Sequence, residues 1–185
     1  VKLIFMLREP VDRIYSHYWQ EYKLGFEFPR FAEMVRTNHP RFRFYFETSR
    51  YKKHLQRYFS LFLKEQTMII IMEDFKKNPQ DEFKRVLSFL HLPSGFSDRM
   101  NLRKVYNQQT VPRNRNLAKL MTVVQQSSIG KKIPQRIRPY LGGIRSKLAE
   151  MNYMPAVVEK LDDSIRLELR ERLSDDIAYV REILN

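Results

Sequence analysis

The sequence predicts an α/β fold: a parallel sheet flanked by helices, with a helix-rich C-terminal half. Three observations lead there. Leu3-Ile4-Phe5-Met6-Leu7 and Met68-Ile69-Ile70-Ile71-Met72 are continuous apolar runs, the pattern of strands covered on both faces in parallel sheets. Other segments carry apolar residues at helical spacing. The resulting order of strand, helix, helix, strand, helix is the grammar of α/β proteins.

Each element has its own signal. Pro10 suits the first turn of a helix, where its missing N–H costs nothing. Val11, Ile14, Tyr15, Tyr18, Trp19 and Tyr22 follow at i, i+3, i+4, i+7, i+8 and i+11, and Gly25 ends the pattern. Phe31–Arg36 predicts a short helix. Tyr51, Leu55, Tyr58, Phe59 and Phe62 predict another. The second strand run leads into Glu73-Asp74. Pro79 to Leu90 then predicts a helix with Phe83, Val86, Leu87 and Leu90 on one face, closed by Pro93. Two strands are too few for a stable sheet. A further strand is therefore expected from outside these residues or from another chain, and the fold reads as incomplete at its N-terminus, where Val1 already lies in a strand pattern.

Beyond Arg99 the character changes. Arg103, Lys104, Arg113, Arg115, Lys119, Lys131, Lys132, Arg136, Arg138, Arg145 and Lys147 occur before Ala149 with no Asp or Glu between. Gly130, Pro134, Pro139 and Gly142-Gly143 divide this segment into short pieces. Val157 to Leu184 predicts helix, with Leu161, Ile165, Leu169, Leu173, Ile177 and Val180 as its stripe. The expected organisation is a single domain over 1–185: an α/β part (1–98), a basic loop and helix region (99–149) and C-terminal helices (150–185).

Composition narrows the function. The 185 residues suit one domain, and a formal charge of +13 implies an anionic partner. Nucleic acid, an acidic membrane face, an acidic polymer or a phosphorylated small molecule would each serve. The absence of cysteine removes disulfides, thiolate metal sites and thiol nucleophiles, and it fits a reducing compartment, so a cytoplasmic location is expected. No signal-peptide pattern is visible, and the longest apolar runs fall far short of the ~20 residues of a membrane span. His17, His39, His54 and His91 show no metal-ligand spacing, and no metal is expected.

The opening stretch carries the chemistry. At the carboxyl end of a parallel strand Arg8 would face the crevice where open α/β sheets bind ligands. The helix starting at Pro10 points its positive end at the same space. Ser16 lies roughly 9 Å further along that helix, on a polar flank with Asp12, Arg13 and Gln20. A guanidinium and a hydroxyl so placed could grip one phosphate, the fork matching two oxygens. The plainer alternative pairs Arg8 with Glu9 or Asp12 and leaves Ser16 solvated.

Leu7-Arg8-Glu9-Pro10-Val11-Asp12-Arg13-Ile14-Tyr15-Ser16-His17-Tyr18 resembles the 3′-phosphate-binding segment of sulfotransferases that use 3′-phosphoadenosine 5′-phosphosulfate (PAPS). The family pattern is a buried strand, then arginine, any residue, proline, two residues, arginine, two residues and serine. Its phosphate-binding arginine and serine fall on Arg8 and Ser16, and Arg13 matches the second basic position, which implies a further cofactor contact. Tyr51 to Phe62, Met68 to Phe75 and Phe83 to Leu90 resemble the family's helix, acid-ended second strand and following helix. Val105-Tyr106-Asn107 with Pro112-Arg113 resembles a loop of bacterial-type members that covers the nucleotide, which implies cofactor contacts from Asn107 and Arg113. Leu167 to Leu184 is similar to the closing helix. The likeness covers most of the chain, and its first block is the specific part.

The resemblance implies a P-loop-like, sulfotransferase-like fold and transfer of a sulfuryl group from PAPS to a hydroxyl or amine, a carbohydrate or acidic glycan among the candidate acceptors. The family's 5′-phosphosulfate loop, roughly Pro-Lys-x-Gly-Thr-[Thr/Ser], has no counterpart around the five glycines. Ser128-Ile129-Gly130-Lys131-Lys132 comes nearest and lacks the preceding strand. That loop and the catalytic base are expected upstream of Val1, and without them the chain is expected to lack activity. Other readings stay open. Glu73-Asp74 orders neighbouring groups or acts as a base; Tyr15, Tyr18, Trp19 and Tyr22 form core or an acceptor wall. The rival function is a non-enzymatic basic module for an acidic polymer or nucleic acid. Nucleic acid ranks below cofactor binding, because the basic segment carries few aromatics. A nucleotide-phosphate kinase would need the same missing loop.

Overall fold

The computed structural model describes residues 1–95, 102, 110–126, 138–155 and 159–184. Strand β1 is Leu3–Leu7 and strand β2 is Thr67–Ile71. They pair in parallel, from Leu3 opposite Thr67 to Leu7 opposite Ile71. Between them lie α1 (Pro10–Lys23), α2 (Phe31–Arg36), α3 (Pro40–Thr48) and α4 (Tyr51–Phe59). After β2 come α5 (Met72–Lys77) and α6 (Pro79–Leu90). Then follow β3 (Thr110–Pro112), α7 (Arg115–Gln126), α8 (Arg138–Asn152) and β4 (Tyr153–Pro155), and finally α9 (Asp163–Arg172) and α10 (Ser174–Leu184). The fold is mixed α/β, helix-rich, with a small parallel sheet, as the sequence predicts.

Two compact units divide the chain. The first comprises Val1–Ile14, Asn38–Tyr106 and Leu161–Asn185; the second comprises Tyr15–Thr37 and Asn107–Lys160.

In the first unit Leu7, Tyr51 and Leu55 form a buried cluster, with Phe5, Phe59, Ile69, Ile71, Tyr179, Val180 and Ile183 packed against it. The sheet face carrying Phe5 and Leu7 is thus covered by α4 and α10. On the other face Ile4 and Met6 are exposed, where the apolar run predicts cover on both sides. Among the described residues the parallel sheet has two strands. Helix α3 brings Phe42 and Tyr45 to full burial, and α9 brings Leu169. Arg172 lies over the Phe42 and Phe46 rings, 5.3 and 4.6 Å from their centroids. Charge over a ring face lets a cation close a core edge without full desolvation.

Several boundaries differ from the sequence pattern. Glu73-Asp74 does not end a strand; it forms the acidic first turn of α5, a placement the helix dipole favours. The C-terminal stripe is two helices, broken at Leu173, whose φ of −108° leaves the helical range. Asp176, buried in the first turn of α10, accepts the Lys52 backbone N–H at 2.8 Å and so satisfies a donor at the start of α4.

The second unit is built on rings. Tyr15 and Tyr18 meet Phe31 at 5.0 and 5.4 Å between centroids, and Trp19 meets Tyr22 at 5.3 Å. Phe31, Met34 and Val35 are buried beside them. Helix α1 ends in a Schellman arrangement. The Gly25 N–H donates to Tyr22 O and the Phe26 N–H to Glu21 O, with Gly25 at φ +86° as the left-handed residue such a cap needs. Strands β3 and β4 pair antiparallel, Val111 opposite Met154. Buried Asn152 ties this region: its Nδ2 donates to Asn114 O at 3.0 Å, and its Oδ1 accepts the Asn114 N–H at 2.9 Å.

Candidate functional site

Leu7 and Ile71, paired as the last residues of β1 and β2, open onto a cavity of about 300 Å³. Arg8, Pro10, Tyr51 and Glu73 line it, with Ile177 and Val180 of α10. This is the carboxyl end of a parallel pair, where open α/β sheets bind ligands. A larger cavity of about 510 Å³ lies at the opposite end of β2, against Thr67, Met68 and Phe62. The smaller one is the candidate site, because position relative to the strand ends outweighs volume.

Arg8 is held through its backbone. Its N–H donates to the Tyr51 hydroxyl oxygen at 3.3 Å, and the Tyr51 O–H donates back to the Arg8 carbonyl at 3.0 Å. Burial pushes the Tyr51 phenol up, while the hydrogen bond with the Arg8 backbone and the Arg13 charge pull the other way. Glu73, reached through the turn after β2, accepts the Glu9 N–H at 3.3 Å and places the same oxygen 4.0 Å from Arg8 Nε. That Nε is buried and finds no hydrogen-bond acceptor. A buried donor without an acceptor costs free energy.

The neighbouring charges are partly engaged, and Glu9 Oε1, like Arg8 Nε, is buried without a hydrogen-bond partner. Glu9 Oε2 accepts the Asp12 N–H at 2.8 Å, so the start of α1 is capped from within rather than left open to an anion. Arg166 Nη1 bonds Asp12 Oδ1 at 2.8 Å, and Arg170 Nε lies 3.7 Å from Glu9 Oε1. Two arginines of α9 thus offset two carboxylates beside Arg8. Arg8 therefore pairs with Glu73, not with the Glu9 or Asp12 of the plainer alternative.

The other sequence-predicted residues have different surroundings. Arg13 Nη1 donates to Thr48 Oγ1 at 3.0 Å and to buried Ser49 Oγ at 2.8 Å, tying α1 to the end of α3. Ser16 is half-buried on α1, three residues beyond Arg13. Arg113 is exposed, and its backbone N–H donates to Asn152 O at 2.6 Å. Asn107 lies outside the described residues, as do Val105 and Tyr106 of the same loop and the Ser128–Lys132 string. Structural tasks occupy three of the histidines. His39 Nδ1 caps α3 by accepting the Arg41 N–H at 3.2 Å. His54 Nε2 lies 3.0 Å from Glu47 O, and His91 sits at φ +59° beyond α6. Tyr18 is buried among rings, the core reading of the aromatic stripe.

Sequence reasoning missed Tyr51 as a clamp and Arg166 and Arg170 as counter-charges. Tyr51 sits at a helical apolar position, so its hydroxyl gave no signal. The two arginines lie in a mixed-charge helix far along the chain.

The protein is thus of the α/β class, with a guanidinium N–H that lacks an acceptor at the carboxyl end of a parallel strand pair. A family model for the sulfotransferase domain matches residues 1–173, and the chain belongs to that family. No curated protein and no solved structure matches it.

Proposed function

We propose that this protein transfers a sulfuryl group from PAPS to a hydroxyl or amine acceptor, with residues 1–185 acting as one sulfotransferase-like domain. The buried Arg8 Nε–H without an acceptor, on the family's phosphate-binding position, is the observation that carries this reading. Arg8 and Ser16 hold the 3′-phosphate of the donor. They position it rather than break a bond, and fixed orientation lowers the barrier by removing motion that would otherwise be lost during reaction. Arg13 holds α1 against α3 behind them. Asn107 and Arg113 belong to the loop that closes over the nucleotide. In the reaction the bond from sulfur to the 5′-phosphate oxygen breaks and a bond from sulfur to the acceptor forms. The acceptor proton passes to a base, and adenosine 3′,5′-bisphosphate leaves.

An acidic glycan acceptor fits the +13 charge, and the absence of cysteine fits action in the cytoplasm. The same charge favours the second reading, a basic module that binds an acidic polymer. Incubation of the protein, extended upstream of Val1 to include the expected 5′-phosphosulfate loop and base, with PAPS and a panel of hydroxyl, amine and glycan acceptors separates the two. Release of adenosine 3′,5′-bisphosphate that depends on acceptor supports the transferase. No release, together with tight salt-sensitive binding to heparin, supports the basic module.

A further inference from the structure

We propose that α7 and α8 of the second unit form a docking surface for an anionic lipid bilayer. On α7, Ala118 and Thr122 are buried and mark the inner face, while Leu120 and Val123 are 58% and 53% exposed. Helix α8 carries a second stripe. Ile144, Leu148 and Met151, at i, i+4 and i+7, are 58%, 40% and 71% exposed. The two helices pack on each other. Single exposed apolar residues are ordinary; a helical stripe of them on each of two neighbouring helices marks an interaction surface.

Charge selects the occupant. Lys119 and Lys147 are exposed on the same helices, within a stretch from Arg99 to Ala149 that contains no Asp or Glu. Surface helices of this kind sink their apolar side chains to the boundary of headgroups and acyl chains, and their cations meet anionic headgroups. A second copy of the chain would set the same cations against each other, which disfavours association. Nucleic acid provides no apolar phase for Ile144, Leu148 and Met151. Among the described residues no helix is long and apolar enough to cross a membrane, and the proposed contact is interfacial.

Co-sedimentation of the protein with phosphatidylcholine vesicles, with and without phosphatidylserine, tests this at low and high salt. Binding is expected to require phosphatidylserine and to weaken with salt. The triple variant Ile144→Ser, Leu148→Ser, Met151→Ser is expected to lower partitioning by at least about tenfold. The pair Lys119→Gln and Lys147→Gln is expected to lower it by about fivefold per cation. Circular dichroism checks the fold, and if the triple variant unfolds the lysine pair decides. Equal binding to both vesicle types, or partitioning unmoved by the lysine pair, would overturn the proposal. So would a concentration-dependent dimer or duplex-DNA binding that the triple variant abolishes.

Discussion

The two units hold their central side chains by different means. Around the ends of β1 and β2, directional bonds dominate: Tyr51 clamps the Arg8 backbone, Glu73 takes the Glu9 N–H, and Arg166 and Arg170 offset Asp12 and Glu9. In the second unit Tyr15, Tyr18, Trp19, Tyr22 and Phe31 hold one another through ring contacts. A buried N–H without an acceptor occurs in each, at Arg8 Nε and Trp19 Nε1. Trp19 is neutral and sits among rings. Arg8 is charged and lines the cavity at the strand ends. Packing alone fills volume, whereas a set of fixed partners can hold one charged group ready for a ligand.

Variants can break each side of this comparison. Phe42→Ala removes a fully buried ring from the first unit. It is expected to cost roughly 3–5 kcal/mol in chemical denaturation; a loss below about 1 kcal/mol would mean α3 is not core. Gly25→Ala strikes the second unit. Its Cβ would lie 2.6 Å from Arg115 O and 2.8 Å from Lys119 N, at φ +86°. Strain and overpacking together should cost roughly 3 kcal/mol, read through fluorescence of Trp19, the single tryptophan.

Tyr51→Phe removes the clamp while keeping the ring, with an expected loss of about 1.5 kcal/mol. Its pH dependence has a definite sign. The folded phenol titrates above its ordinary 10.0, so between the two values the native state keeps a proton the unfolded chain has released. That contribution is complete below pH 10 and fades as pH rises through the folded value. Stability of wild type and Tyr51→Phe should therefore converge above pH 10. The smallest effect belongs to Arg166→Ala, whose part-exposed pair with Asp12 should give up about 0.5–1 kcal/mol and shrink further in salt.

Much of this architecture is legible in the sequence because its signals are local. The apolar run ending at Leu7, the stripe from Val11 to Tyr22 and the Gly25 stop each depend on residues a few positions apart. Arg8 is legible in the same way, as the first cation after a strand. Helix α3 was not legible: Pro-Arg-Phe-Arg-Phe-Tyr-Phe alternates charge and ring with a period of two, a strand pattern that burial of Phe42 and Tyr45 overrides. Strands β3 and β4 escaped because they are short, contain proline and pair across a long separation. The partners of Glu9 and Asp12 escaped for the same reason, since only folding brings α9 to the start of α1.

Calorimetric titration of wild type and Arg8→Ala with adenosine 3′,5′-bisphosphate and with adenosine 5′-monophosphate tests the central claim most directly. Wild type should prefer the bisphosphate, and Arg8→Ala should weaken it by roughly 10- to 100-fold while leaving the monophosphate unchanged. Equal affinity of wild type for both nucleotides, or a preference that survives in Arg8→Ala, would contradict the account.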